Sequence, residues 1–315
     1  MKTRGFYAIL FVMILSLSGI EGCPASEEKT TTGAYIGGTD GLGISFVSEE
    51  PPMSVLDNNQ DPFFITLLIQ NNGEYTVPAG KIIASLSGIN KDAFGLDSLN
   101  VKSVNDLFGK NKIGEEIIEG SLDQLQFDQA NYKYDLSADF STQLRADICY
   151  AYETNSLVKL CLKKNPIQRK QEDVCSVLNE NVAAENSGAP LQIKDVRSRG
   201  GSDSVTFTFI VENKGTGEVY EPGTFFDNCI KNDMKKDYVI LKIKDEGGKL
   251  DIKCGILGNN NEGTIKLINN MRTVSCTVKT SGLQESAFEE PFEIILDYFY
   301  KESISTNLLV VNSEY

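Results

Sequence analysis

Apolar and polar residues alternate along much of this chain with a period of two, the spacing of strands that bury one face. Val205, Phe207, Phe209 and Val211 alternate with Thr206 and Thr208, and Phe292, Ile294, Leu296, Tyr298 and Tyr300 repeat the pattern near the end. On this basis one series of strands is expected at 63–69, 81–86, 132–136, 146–152 and 157–162. A second is expected at 191–196, 205–211, 238–243, 250–254, 264–268, 273–278, 292–299 and 308–311. Turn residues punctuate the intervals. Brief helices are expected only around 91–94, 103–108 and 169–174. The expected fold class is all-β, a pair of β-sandwiches with short helical insertions.

The two series share a signature. Ile69-Gln70-Asn71-Asn72-Gly73 and Val211-Glu212-Asn213-Lys214-Gly215 each close a strand, their asparagines 142 residues apart (213 − 71), and Pro78-Ala79-Gly80 and Pro222-Gly223 follow them. This reads as one fold used twice. Asn and Gly suit a tight turn that needs positive φ. The layout is then a leader at 1–22, a tether at 23–40, sandwiches at 41–165 and 189–315, and a connector at 166–188. A strand ending in Val/Ile-x-Asn-x-Gly resembles the immunoglobulin-like modules of the cell-adhesion-related domain type on bacterial and archaeal surface proteins. The opening Tyr35-Ile36-Gly37-Gly38-Thr39-Asp40-Gly41-Leu42-Gly43-Ile44-Ser45-Phe46, with Glu49-Glu50-Pro51-Pro52 after it, is similar to the start of exported β-rich proteins of small-genome archaea. The resemblance implies tandem immunoglobulin-like sandwiches used for display or contact, and it carries over no catalytic residue.

The first residues break the β pattern. Lys2 and Arg4 precede an apolar run from Phe6 to Ile20, 15 residues long, and at 1.5 Å each this falls short of the roughly 30 Å core of a bilayer. That suits an export signal. Ile20-Glu21-Gly22-Cys23 resembles the lipobox of prokaryotic lipoproteins, which implies lipid on Cys23. Glu21 departs from that pattern, and ordinary secretion is the alternative. Residues 24–33 are polar and threonine-rich and read as a tether.

Charge and composition narrow the role. The chain carries 30 basic and 44 acidic residues, net −14; without residues 1–22 the counts are 28 and 43, net −15. Such a surface repels phosphate backbones and argues against nucleic-acid partners. With no histidine, Ser-His and Cys-His dyads and histidine-ligated zinc are excluded. Carboxylate-only chemistry survives, but no motif selects two acids. No cofactor is expected.

Cys23 aside, Cys149, Cys161, Cys175, Cys229, Cys254 and Cys276 remain, an even number without a CxxC pair. In an exported chain they are disulfide candidates. A hairpin centred on Asn155 would set Cys149 opposite Cys161; Cys254 with Cys276, and Cys175 with Cys229, would complete one of fifteen connectivities. Asp57-Asn58-Asn59-Gln60-Asp61 starts like a calcium loop, but Pro62 stands where an EF-hand needs glycine, so it reads as an acidic turn. Residues 245–248 and 258–263 read as hairpin loops. Tyr132 and Tyr134, and Tyr150 and Tyr152, read as core or cross-strand packing, with a glycan-binding face as the alternative. The expectation is a non-catalytic, surface-anchored protein of the cell envelope, held at the membrane by its N-terminal lipid and contacting an envelope protein, a cell or a glycan. The alternatives are an exported carboxylate-dependent hydrolase such as a glycosidase, and an accessory subunit of a secretion or pilus machine.

Overall fold

Branched and aromatic side chains at every second position fit a pleated, half-buried surface, and nearly every ordered segment of this chain is a strand. The computed structural model describes residues 33–168, 171, 173–177 and 180–313. The first half contributes β1 (Leu42–Phe46), β2 (Ser54–Leu56), β3 (Thr66–Asn71), β4 (Ile82–Ser87), β5 (Asn100–Lys102), a ribbon of β6 (Asn111–Ile113) and β7 (Glu116–Ile118), β8 (Leu122–Gln126) and the 23-residue β9 (Phe140–Leu162). Two short strands follow, β10 (Glu180–Val182) and β11 (Ala184–Asn186). The second half holds β12 (Leu191–Gly200), β13 (Ser204–Asn213), β14 (Glu218–Tyr220), β15 (Tyr238–Asp245), β16 (Ile252–Cys254), β17 (Glu262–Lys266), β18 (Met271–Lys279) and the 24-residue β19 (Phe288–Val311).

The fold is an all-β sandwich built on one shared sheet. Its order is β17-β15-β19-β9-β4-β5, with β11 against β9, and β14 and β2 against β19. The sheet β1-β3-β8 serves the first half and β10-β12-β13-β18-β16 the second. The central strands of the halves correspond. Leu42 pairs with Asn71 between β1 and β3, as Leu191 pairs with Asn213 between β12 and β13; β4 pairs with β9 as β15 pairs with β19.

The seam between the halves is the antiparallel pair β9·β19, continuous from Phe288↔Leu162 to Val310↔Phe140. At its middle stand Tyr152↔Tyr298, Ala151↔Phe299 and Tyr150↔Tyr300. A local two-fold axis through the Ala151 and Phe299 pair exchanges Tyr152 with Tyr300 and Tyr150 with Tyr298. The two halves are therefore not separately closed; the described residues belong to one compact unit.

All four seam tyrosines are buried, and their hydroxyls are bonded in matching ways. Tyr152 donates to Asn71 Oδ1 at 3.0 Å and Tyr300 to Asn213 Oδ1 at 3.0 Å. Each asparagine donates in turn to a carbonyl four residues on, Tyr75 at 2.7 Å and Gly217 at 2.9 Å. Tyr150 accepts from Leu42 N and Tyr298 from Leu191 N. The repeated Asn-x-Gly signature is thus a corner that locks each outer sheet onto the seam.

The glycines serve this corner differently from the turn read in the sequence. Neither Gly73 nor Gly215 has positive φ; each is needed because a Cβ there would overlap the hydroxyl of Tyr152 or Tyr300. Positive φ falls instead at Gly80 (73°) and Gly223 (77°), which close the turns Pro78–Lys81 and Glu221–Thr224.

Three other expectations are corrected. Thr154-Asn155-Ser156 does not turn: the expected strands 146–152 and 157–162 are one strand. Thr154 and Asn155 are bonded inside the fold, Thr154 Oγ1 to Leu191 O at 2.9 Å and Asn155 N to Ser187 Oγ at 2.9 Å, and Ser156 pairs with Asn186 of β11. Residues 132–136 form no strand, because Tyr132 is held in an aromatic cluster with Phe94 and Phe140. Among the described residues the one regular helical element is the 3-10 turn Gly255–Leu257; 91–95 form a turn and 103–108 no helix, while 169–174 fall partly outside the described residues.

Candidate binding site

The halves differ most just after their shared Pro/Gly turns. In the first half the chain passes from Lys81 into β4 at once; in the second, residues 225–237 intervene before β15. This inserted loop lies on the outer face of the shared sheet. Phe225 is buried edge-on against Tyr220 and Phe299, with ring centroids at 4.9 and 5.7 Å. Cys229 is bonded to Cys149 of β9, and its N–H donates to Ser85 Oγ of β4 at 2.8 Å. Lys102 reaches Asp227 at 2.6 Å.

So fixed, the loop holds three large apolar side chains in water. Phe226 is 69% exposed, Ile230 72% and Met234 86%. Beside it opens a cleft of about 660 Å3, bounded by Lys231 of the loop, Lys301–Ile304 of β19, Arg145 of β9, Ile44 of β1 and the approach to β14. Its charges form a network. Burial works against ionisation of Asp147, but hydrogen bonds from Ser303 and Arg145 and the positive charge of Lys301 prevail and hold its carboxyl below the usual range. Lys301, itself buried, also donates to Cys229 O at 2.9 Å. Glu302 behaves oppositely: burial, with Asp40 adding to it, pushes its carboxyl up to about 7 against a hydrogen bond from Tyr150. With Ile44 and Ile304 its only large apolar walls, the cleft suits a polar, backbone-rich occupant better than a drug-like molecule.

The six downstream cysteines are all disulfide-bonded: Cys149–Cys229, Cys161–Cys175 and Cys254–Cys276. The third pair is the expected one, on adjacent strands β16 and β18. The other two are corrections. With 154–156 extended, Cys149 and Cys161 lie far apart on one strand; Cys149 takes its partner from the inserted loop and Cys161 from the segment after β9. Cys23 lies outside the described residues.

The remaining candidates have structural surroundings. Asp57 is buried, accepting from Leu136 N at 2.7 Å and Ser313 N at 3.0 Å; a hydrogen bond from the Ser313 side chain, with these two backbone bonds, holds its carboxyl low against burial. Asp245 accepts from Lys249 N at 2.8 Å and closes its hairpin loop. Tyr150 and Tyr152 are core, whereas Tyr134 is exposed. Asp297 and Glu153 face each other across the seam, and burial followed by the charge of Glu153 raises Asp297 to about 6, against a backbone hydrogen bond from Tyr298. Neither lines the concavities of that face, which are bounded by Leu157, Lys244, Pro291 and Glu293 on one side and by Leu157, Lys159, Glu180 and Glu185 on the other. Among the described residues no group of three or more His, Cys, Asp or Glu could hold a metal ion, and no helix is long and apolar enough to cross a membrane.

Neither a family model nor a curated protein matches the chain. Among solved structures it is similar to the serine-rich repeat adhesion glycoprotein of Streptococcus agalactiae, at 7% identity, covering 87% of this chain and 96% of that one, with a TM-score of 0.17. At that score the likeness carries no functional inference. The loop residues Phe226, Ile230 and Met234 escaped the sequence reading; aligning the two Asn-x-Gly signatures and asking where one half is longer would have exposed them.

Proposed function

We propose that this chain is a non-catalytic binding protein of the cell envelope. It is exported, held at the membrane through Cys23, and contacts another envelope protein, a cell or a glycan at the inserted loop and its cleft. Three disulfides support an oxidising compartment outside the cytosol. The observation that carries the reading is the stapled loop. Long loops in compact domains are commonly functional, and this one is fixed by a covalent bond while leaving Phe226, Ile230 and Met234 uncovered. Covering such side chains with a partner gains about 1.5–3 kcal/mol each.

The test replaces all three by serine in the mature chain and measures retention of labelled protein on cells of its source. Retention should fall at least about tenfold, while the unfolding midpoint stays put, since exposed substitutions usually change stability by less than about 0.5 kcal/mol. Equal retention of the two proteins would overturn the assignment to the loop. Release of reducing sugar from envelope glycan, lost on Asp297→Asn, would move the reading to the exported hydrolase.

A further inference from the structure

Resting on that binding role, we propose that the edge of β19 between Glu302 and Leu308, which no described strand pairs, accepts an extended segment of a partner polypeptide, paired antiparallel to β19 as an added strand.

The local two-fold makes β9 and β19 comparable position by position, and their outer edges differ. On β9 the edge is filled: β11 pairs antiparallel with it through Ala184↔Val158, Glu185↔Leu157 and Asn186↔Ser156. Ser187 N donates to Asn155 O at 2.8 Å, and Asn155 N to Ser187 Oγ. The axis sends Asn155 to Ser303 and Leu157 to Ser305. No described strand occupies that equivalent place. β14 stops at Lys301, opposite Glu218, and β2 begins at Leu309, opposite Ser54. The gap of seven residues spans about 23 Å at strand spacing.

The groups that pairing needs face into this gap. Leu309 N points away from β9, donating to Met53 O at 3.1 Å, and backbone direction alternates along a strand. The N–H and C=O of Ser303, Ser305 and Asn307 therefore face outward too. The largest cleft described above opens at the same place, with Ile44 and Ile304 on its inner side.

Proteins normally blunt such an edge with lysine, proline or a bulge. Beyond Glu302, residues 303–308 contain no charge and no Pro, and their register with β9 is unbroken. Their outer side chains, Ser303, Ser305 and Asn307, are short and leave the backbone accessible. β11 shows what such a slot holds: an antiparallel strand that bonds through its backbone, with specificity set by alternate side chains. A matching partner segment would set apolar residues toward Ile44 and Ile304 and polar ones toward Lys231.

The chain's own β11 sequence supplies the probe, a synthetic peptide spanning Glu180–Gly188, added to the mature protein. Amide hydrogen exchange at Ser303, Ser305 and Asn307 should be rapid in the free protein and slow by about tenfold or more at saturating peptide. Ser305→Pro removes an outward N–H, a position where an edge strand tolerates proline, together with an exposed hydroxyl that accepts from Gln143 Nε2 at 3.5 Å, and should abolish the effect. The same peptide N-methylated at Glu185 should also be inert, which keeps the test valid should the proline variant misfold. Failure of the peptide to bind, or protection elsewhere than at these three amides, overturns the proposal. Protection that rises with protein concentration in the absence of peptide also overturns it, assigning the edge to a second copy of the chain. Unchanged peptide binding by the loop triple-serine variant that has lost its hold on cells would separate this slot from the loop reading.

Discussion

Substitution of Gly215 tests the corner that joins the outer sheet of the second half to the seam. An alanine Cβ there would lie 3.0 Å from Pro190 Cβ, overlap the Tyr300 hydroxyl, and meet no other atom closer than 3.0 Å. Its backbone is not in the left-handed region, so the cost of Gly215→Ala is steric, about 1–3 kcal/mol as for overpacked cores. Tyr300→Phe alone removes the partner of Asn213 Oδ1 and of Gly217 N, which donates to the hydroxyl at 2.8 Å. Leaving the buried Asn213 Oδ1 unpaired costs about 1–3 kcal/mol, and the part-buried Gly217 N costs less. In the double variant the overlap is gone, because the oxygen struck by the new methyl is the one removed. Gly215→Ala in the Tyr300→Phe background should therefore cost clearly less, the remainder coming from Pro190 Cβ at 3.0 Å and the ring carbon at 3.2 Å, a coupling of about 1–2 kcal/mol. The equivalent pair behaves differently. A Cβ at Gly73 also overlaps the carbonyl oxygens of Gly188 and Asp40, so Tyr152→Phe should not rescue Gly73→Ala. Urea unfolding followed by far-ultraviolet circular dichroism, with disulfides intact, reads all six variants. Additivity at 215 and 300 within about 0.5 kcal/mol, or rescue at 73, would refute the close-approach account of the two glycines.

Four further outcomes follow from other parts of the molecule. Glu302, raised to about 7, and Asp297, raised to about 6, hold protons in the fold that the unfolded chain releases nearer 4.5 and 3.8. Their contribution to stability is therefore greatest at the acidic end of that window and is lost as pH rises to 7; Glu302→Gln should flatten the upper part of the profile, as measured by unfolding midpoints against pH. Lys163 and Asp173 form a buried ion pair at 2.5 Å, so Lys163→Ala should cost about 3–5 kcal/mol in a urea titration and Lys163→Met with Asp173→Leu much less. Replacing Cys149 and Cys229 by serine should cost about 2–4 kcal/mol and make Lys231 and Lys235 preferred sites of tryptic cleavage. Intact-mass analysis of native protein should show a chain beginning at an acylated Cys23 that gains two hydrogens per bridge on reduction; an unacylated terminus elsewhere would remove the anchor.

The class of fold was legible because it is written in short-range alternation. β13, β15 and β18 announced themselves through paired valines, phenylalanines and isoleucines, and the duplication through two Asn-x-Gly endings. What escaped depends on distant partners. Thr154 and Asn155 look like a turn until Leu191 and Ser187, far along the chain, are there to bond them. The hairpin error then carried the misassigned Cys149 and Cys161 with it. β19 looks like two strands in sequence because Ser303, Ser305 and Asn307 interrupt the apolar run, although Ile304 and Leu308 keep the alternation. The loop and cleft left no local signal, since an exposed Phe226 or Met234 has the same letter as a buried one.

The seam has a consequence for synthesis. β9 is finished at Leu162, yet the strand that completes it begins only at Phe288. At ribosomal rates of about 5–20 residues per second, the first half waits on the order of ten seconds with one long margin unzipped. Neighbouring chains that emerge together offer each other the same margin during that interval, so a product truncated before residue 288 is built to stick to its siblings.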